Sequence, residues 1–289
     1  MAGFLGTTTS FSIFEAPVPS KLDFEAVRAW AFSDAVTPEG TRLGWVGLGN
    51  AVDTDFSFGI DHGRFAALSL RVDSRKASGA ALKLQLAEAV QEELAQGGNV
   101  SNKRKKELRE AITAKLISKA EWTPALTDCL WDLEKGRLLV AASPKAALPL
   151  LERFTSTFGV DAQPYTPNED VPSFFARLSR ENVSVNGREL SCAGSATLAT
   201  PLHVEGKMAV AVQNNENTIA SALDEGLIIR KLAMIADATL EFSLDTSLTV
   251  SGLKLPKAEK GADADTDFLL KADVCVMVAD LALAIAGLA

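Results

Sequence analysis

The segment from Asn102 to Lys119, NKRKKELREAITAKLISK, holds the residues whose types most clearly suggest a chemistry. It has seven basic and two acidic side chains and so carries +5, within a chain of net charge −8. Lys and Arg neutralise nucleic-acid phosphates and release counterions, a contact that reads no base sequence. The segment predicts phosphate contacts from Lys103, Arg104, Lys105, Lys106, Arg109, Lys115 and Lys119, extended by Arg75 and Lys76.

A second interpretation of this basic segment stays open. Basic runs are common on solvated helix surfaces, and these residues are spread around the helix rather than confined to one face. The acidic total argues only against a chain that coats nucleic acid over its whole surface, because phosphate binding depends on the charges at the contact.

A cluster of carboxylates at Asp263, Asp265 and Asp267 suggests a different chemistry, a divalent-metal site of a nuclease. The spacing does not match the calcium loop of an EF-hand, which needs Gly at its sixth position and Glu at its twelfth. Carboxylates are also favoured at the start of a helix. We therefore expect these three residues to begin a helix rather than to bind metal.

The remaining reactive residues are few and dispersed. Cys129, Cys192 and Cys275 lack metal-site spacing, and only His62 and His203 supply imidazoles. No P-loop, dinucleotide-binding, nucleophile-elbow or HExxH motif is present. We predict no catalytic residue, metal or cofactor.

Both ends of the sequence bear on its location. The first residues, MAGFLGTTTSFSIF, lack a basic region and an uninterrupted apolar core, so no signal peptide is expected. The apolar run 274–289 is shorter than the about 20 residues of a membrane span and is interrupted by Asp280. We expect a buried terminal helix, a cytoplasmic protein and no membrane contact.

Two amphipathic helices are predicted to position the basic segment. Leu82, Leu86, Val90 and Leu94 recur every four residues up to Gly97-Gly98, and the next helix begins near Ser101. We expect a projecting helical hairpin over 77–122.

Elsewhere the sequence indicates an α+β fold with antiparallel sheets and segregated helices. We predict a central α+β domain from 1–76 and 123–166, the hairpin, and a second α+β domain over 167–289, after the Pro-rich stretch 164–173. Helices are predicted at 21–33 with Ser20 as N-cap, after Ser143, and at 265–288. Strands are predicted at 6–14, 65–72, 129–132, 137–142, 183–186, 207–212, 227–233, 238–243 and 247–254.

Five stretches, in order, resemble the RdgC family of recombination-associated proteins. They are Gly44-Trp45-Val46, the basic helix 103–116 leading to Trp122, the hairpin 130–138, Glu225 to Ala233, and Asp263 to Leu270. The resemblance covers nearly the whole chain through order and spacing rather than through any single motif.

The resemblance implies a horseshoe-shaped subunit that forms a ring-shaped homodimer around double-stranded DNA. It also implies binding without sequence preference, a modulating role in homologous recombination alongside a RecA-type recombinase, a nucleoid-associated location and no enzymatic activity. Two dimer contacts carry over: Trp122, where the family more often has Phe, and Gln213, although Val212 stands where the family has Lys. The alternatives are a protein-binding regulator or scaffold without DNA binding, and a metal-dependent nuclease.

Overall fold

The computed structural model has the predicted α+β class, with a large antiparallel sheet. The structure describes residues 3–97, 99–199, 210–212, 216–257, 261 and 263–288. In these ranges the strands are Thr8–Glu15 (β1), Arg42–Val46 (β2), Asp61–His62 (β3), Phe65–Ser74 (β4), Thr123–Asp132 (β5), Arg137–Val140 (β6), Gln163–Pro164 (β7), Val183–Val185 (β8), Arg188–Ala199 (β9), Val210–Val212 (β10), Ile228–Ala236 (β11), Leu240–Asp245 (β12) and Thr249–Lys254 (β13). The helices are Glu25–Ala29 (α1), Gly79–Ala95 (α2), Asn102–Lys119 (α3), Pro144–Phe158 (α4), Val171–Leu178 (α5), Glu216–Asp224 (α6) and Ala264–Ile285 (α7).

The chain forms two compact units. Unit 1 comprises Met1–Ala31, Trp45–Leu70 and Thr127–Ala289, and unit 2 comprises Phe32–Gly44 and Arg71–Leu126. Unit 2 contains α2 and α3, the predicted helical hairpin. The division into three domains with a boundary at 166/167 stays a prediction.

The order of strands in the sheet is β10-β9-β11-β12-β13-β1-β6-β5-β4-β2. Short strands add to its members, with β3 beside β4, β7 beside β1 and β8 beside β9. Strand β1 is central: Ser12 lies opposite Val140 of β6 on one side and Thr249 of β13 on the other. The first strand of the chain therefore joins strands far apart in the sequence.

Helix α7 supplies much of the core of unit 1. Phe268, Cys275 and Leu281 are buried in it and belong to the same apolar cluster as Phe11 of β1 and Val250 of β13. Removing such side chains from water contributes about 1.5–3 kcal/mol each. The prediction of a buried terminal helix is confirmed. Among the described helices, none is long and apolar enough to span a membrane.

Most predicted elements match the structure to within a few residues, but the helix predicted at 21–33 is much shorter in the structure. Helix α1 covers only Glu25–Ala29, and Asp23 rather than Ser20 accepts a hydrogen bond from its first residue, the Glu25 backbone N–H, at 2.9 Å. The helix ends early because the Trp30 carbonyl accepts the N–H of Trp45 at 2.9 Å. A tertiary hydrogen bond therefore replaces the helical one. Of the predicted strand 207–212, residues 207–209 lie outside the described part of the chain.

Candidate nucleic-acid interface

Helix α3 carries the predicted basic segment in unit 2. It begins after Ser101, whose hydroxyl accepts the Arg104 backbone N–H at 3.2 Å and so satisfies one free amide of the first turn. Leu108, Ile112 and Leu116 are half-buried, whereas all seven basic side chains of the helix are exposed. The fold leaves every predicted cation of α3 accessible to solvent.

Two of these cations are held by carboxylates of the hairpin. Arg104 donates from Nε and Nη2 to Oε1 of Glu93 on α2, at 2.8 and 2.6 Å, and from Nη1 to Glu107 at 3.2 Å. These hydrogen bonds raise the pKa of the Arg104 guanidinium. Lys106 lies 3.9 Å from Glu110, one turn along α3. Arg104 is therefore the predicted contact whose charge is most compensated within the protein.

The other cations of α3 have no ion pair with any carboxylate in the described ranges. They are Lys103, Lys105, Arg109, Lys115 and Lys119. Lys105 and Arg109 are one turn apart, as are Lys115 and Lys119, so each pair shares a face of the helix. Free cations arranged in this way can neutralise phosphates without first breaking an internal ion pair.

A stack of side chains lies beside the C-terminal end of α3. The Trp122 ring has the guanidinium of Arg42 at 4.3 Å from its centroid and that of Arg75 at 4.2 Å. Arg75 also donates to the Ser118 carbonyl at 3.4 Å, and Arg42 pairs with Asp34 at 2.7 Å. Cation–π contacts of this kind hold a guanidinium against the ring. Arg75 therefore lies next to α3, as the predicted extension of the basic segment requires. Its guanidinium, however, is already bound to the Trp122 ring and the Ser118 carbonyl.

Lys76 is exposed and has no ion pair with a described residue. Trp122 is half-buried, which leaves part of the indole accessible. The second predicted dimer contact, Gln213, lies outside the described residues.

The acidic cluster at the start of α7 has structural partners. Asp263 caps the helix by accepting the Thr266 N–H at 2.7 Å, a bond that lowers the pKa of the Asp263 carboxyl. Asp265 contacts Nδ1 of His62, whose side chain is 3% exposed, at 2.7 Å, and Asp267 pairs with Lys271 at 2.7 Å. Within the described residues, no group of three or more His, Cys, Asp or Glu side chains is arranged to hold a metal ion.

The fold and the basic segment define the class of protein. It is an α+β protein of two compact units, one of which contains a basic helical hairpin. The family model described as "Putative exonuclease, RdgC" matches residues 12–289, nearly the whole chain. The chain belongs to the RdgC family, as the order of its motifs predicts. No curated protein matches it.

Glu93 and Arg42 are parts of this interface that the sequence patterns did not predict. A strict four-residue repeat turns by about 40° per step on a helix, so the stripe that begins at Leu82 leaves the α3 side before Leu94. Leu94 is 53% exposed, while Glu93 is half-buried and binds Arg104. The angular position of Glu93 around α2, which can be worked out from the sequence, would have predicted that it faces α3. Arg42 lies 80 residues from Trp122 along the chain and gives no local signal.

Proposed function

We propose that the chain binds double-stranded DNA through the cations of α3, without sequence preference, and thereby modulates homologous recombination. The observation that carries the proposal is the set of five exposed, unpaired cations on one helix of an acidic protein. Such a distribution favours local contact with phosphates over general adhesion. Membership in the RdgC family supports a role in recombination, and a RecA-type recombinase and a nucleoid location are part of the proposal.

The test is a charge reversal on α3 with a matched control. The triple variant Lys103→Glu/Lys105→Glu/Arg109→Glu changes unpaired cations, so no internal ion pair is lost. The control, Lys21→Glu/Lys145→Glu/Lys257→Glu, has the same net charge and alters exposed lysines outside the hairpin.

Duplex binding is measured by fluorescence anisotropy over a range of salt concentrations. We expect the α3 variant to lose binding, and the control to retain the wild-type dependence of log K on log salt. Equal losses in the two variants would mean that net charge alone matters. A wild-type protein that does not bind duplex DNA would favour the regulator or scaffold instead.

We further propose that a horseshoe-shaped subunit pairs into a ring-shaped homodimer that encloses the duplex. The hairpin supports a contact surface of this kind, because Leu84, Leu94 and Ile117 are exposed on it and Trp122, which follows it in the chain, is half-buried. Exposed apolar side chains and Trp are typical of protein interfaces. Gln213 is proposed as the contact at the second junction.

The description of the family favours a second candidate function, a metal-dependent exonuclease. Against it, Asp263, Asp265 and Asp267 are engaged by a helix cap, a histidine and a lysine. We propose that the chain is not an enzyme. Incubating end-labelled duplex with protein and Mg²⁺ or Mn²⁺ tests this. If the labelled strand is shortened by the wild type but not by Asp263→Asn/Asp265→Asn, the nuclease is established.

A further inference from the structure

A cavity of about 420 Å³ lies in unit 1, outside the hairpin. Its lining is formed by Lys135, Arg137, Asn186, Arg188, Met277, Asp280 and Leu281. Three of these side chains are cations and one is an anion. The lining by itself therefore has a net charge of +2, in a chain whose net charge is −8.

Three separate elements bring these cations together. Lys135 lies in the turn between β5 and β6, and Arg137 is the first residue of β6. Arg188 begins β9 directly after a tight turn at Asn186-Gly187, where both residues have positive φ, 50° and 76°. Helix α7 closes the cavity with Asp280. Because the turns and the helix are fixed by the core of unit 1, the cations are held in place before any ligand arrives.

Asp280 acts as the internal counterion of the cavity. Its carboxylate accepts two hydrogen bonds from Lys135 Nζ, at 2.7 and 2.9 Å, and a further one from Arg137 Nη1. Because one carboxylate is shared by two cations, the three groups together keep a net charge of +1. Arg188 pairs with Asp237, which is not part of the lining.

Two of the acids beside the cavity, Glu134 and Glu189, pair with residues outside its lining. Glu134 lies 3.4 Å from Arg64, and Glu189 accepts from Asn182 at 2.8 Å. Glu15 is the cross-strand partner of Arg137 and is exposed. The Tyr165 hydroxyl oxygen accepts a hydrogen bond from Arg137, and burial raises the pKa of Tyr165, so the hydroxyl stays neutral.

We propose that this cavity is a second phosphate-binding site for the nucleic-acid backbone, in which Asp280 competes with the bound phosphate. The inference rests on the proposed function. Lys135 and Arg188 are 38% and 40% exposed at the side chain, so a backbone phosphate passing over the surface can reach both. Lys and Arg contacts to phosphate need no enclosing pocket. The open site therefore suits a polymer backbone better than a free anion.

The first test removes the two accessible cations. Lys135→Ala/Arg188→Ala is expected to weaken duplex binding and to reduce the slope of log K against log salt by at most about 2, roughly one for each lost phosphate contact, because both cations also form ion pairs within the protein. Asp280→Asn, which keeps a hydrogen-bond acceptor, is expected to bind more tightly than the wild type. Thermal unfolding of each variant shows that it is folded.

The matched control for Asp280→Asn is Asp273→Asn. Asp273 lies on the same helix and pairs with Arg64 at 3.5 Å, outside the cavity. Both variants change the net charge equally. If Asp273→Asn raises duplex affinity as much as Asp280→Asn, the cavity has no special role and the inference fails.

A direct readout comes from the methyl group of Met277, which lines the cavity, in protein labelled with ¹³C at its four methionine methyls. We expect its resonance, assigned with Met277→Leu, to shift when duplex binds, while that of the buried Met234 does not. If duplex binds through α3 but Met277 and the salt slope of Lys135→Ala/Arg188→Ala stay unchanged, the inference is wrong and the proposed function stands.

Inorganic phosphate serves as the second probe. If duplex does not bind at all, the proposed function fails and this inference fails with it. A saturable shift of Met277 with inorganic phosphate alone would then identify a small-anion site instead.

Discussion

The ion pair between Glu93 and Arg104 predicts that the hairpin restrains its own affinity for DNA. Arg104 is one of seven predicted cations of α3, and its guanidinium bonds to Glu93 through two nitrogens. In Glu93→Gln the partner keeps its shape but loses its charge. We expect Arg104 then to become available to a backbone phosphate, so that duplex binding tightens.

The size of the expected change in duplex affinity follows from counterion release. One additional phosphate contact steepens the slope of log K against log salt by about 0.9. Between about 50 and 200 mM salt, the ratio of the variant's affinity to that of the wild type should therefore fall by about 3.5-fold. Glu107 remains 3.2 Å from Arg104, so this figure is an upper bound for the single substitution.

The assay is anisotropy of a labelled duplex at several salt concentrations, in a double-mutant cycle with Arg104→Ala. The gain from Glu93→Gln should vanish when Arg104 is already absent. Glu92→Gln is the charge-matched control, because Glu92 is exposed and forms no ion pair with a described residue. A gain that persists in the Arg104→Ala background, or an equal gain in Glu92→Gln, would refute the competition argument.

Two further predictions concern assembly and acid stability. Trp122→Ala should shift the proposed dimer toward monomer in sedimentation. Trp122→Phe should not, because it keeps a ring for Arg42 and Arg75. Undiminished dimer affinity in the Ala variant would contradict the assignment of Trp122 to the dimer contact. Burial raises the pKa of Asp128 above the value of about 3.9 expected in the unfolded chain, so the folded state retains a proton that the unfolded state releases. Stability should therefore decline as pH rises from the unfolded to the folded pKa, and thermal unfolding of Asp128→Asn over the same pH range should lack that decline.

Local patterns were sufficient to predict most of the secondary structure. The hairpin follows from apolar spacing and from Ser101 as a cap, and α7 follows from an apolar run with Asp263 at its start. These signals are short in range, so they can be recognised in the sequence without knowledge of the tertiary contacts. Helix α1 was predicted too long because the bond between Trp45 and Trp30 that ends it is tertiary.

The charge of the candidate interface was predictable, but its internal pairing was not. The sequence shows seven cations on α3, whereas the partners of Arg104 and Arg75 come from α2 and from Trp122. The cavity of unit 1 was missed entirely, because Lys135, Arg188 and Asp280 are each separated by at least 50 residues. Only the sheet topology and the position of α7 bring them together.

The central position of β1 has a consequence for synthesis on the ribosome. One edge of β1 pairs with β6 as soon as residue 140 is available. On the other edge β7 pairs only Phe14 and Glu15, and the stretch from Thr8 to Ser12 must wait for β13, which ends at Lys254. At about 5–20 residues per second, this stretch stays open for roughly 12–50 s after β1 itself has been made. An unpaired strand edge invites pairing with other nascent chains. The newly made polypeptide should therefore depend on chaperones until its last strand emerges.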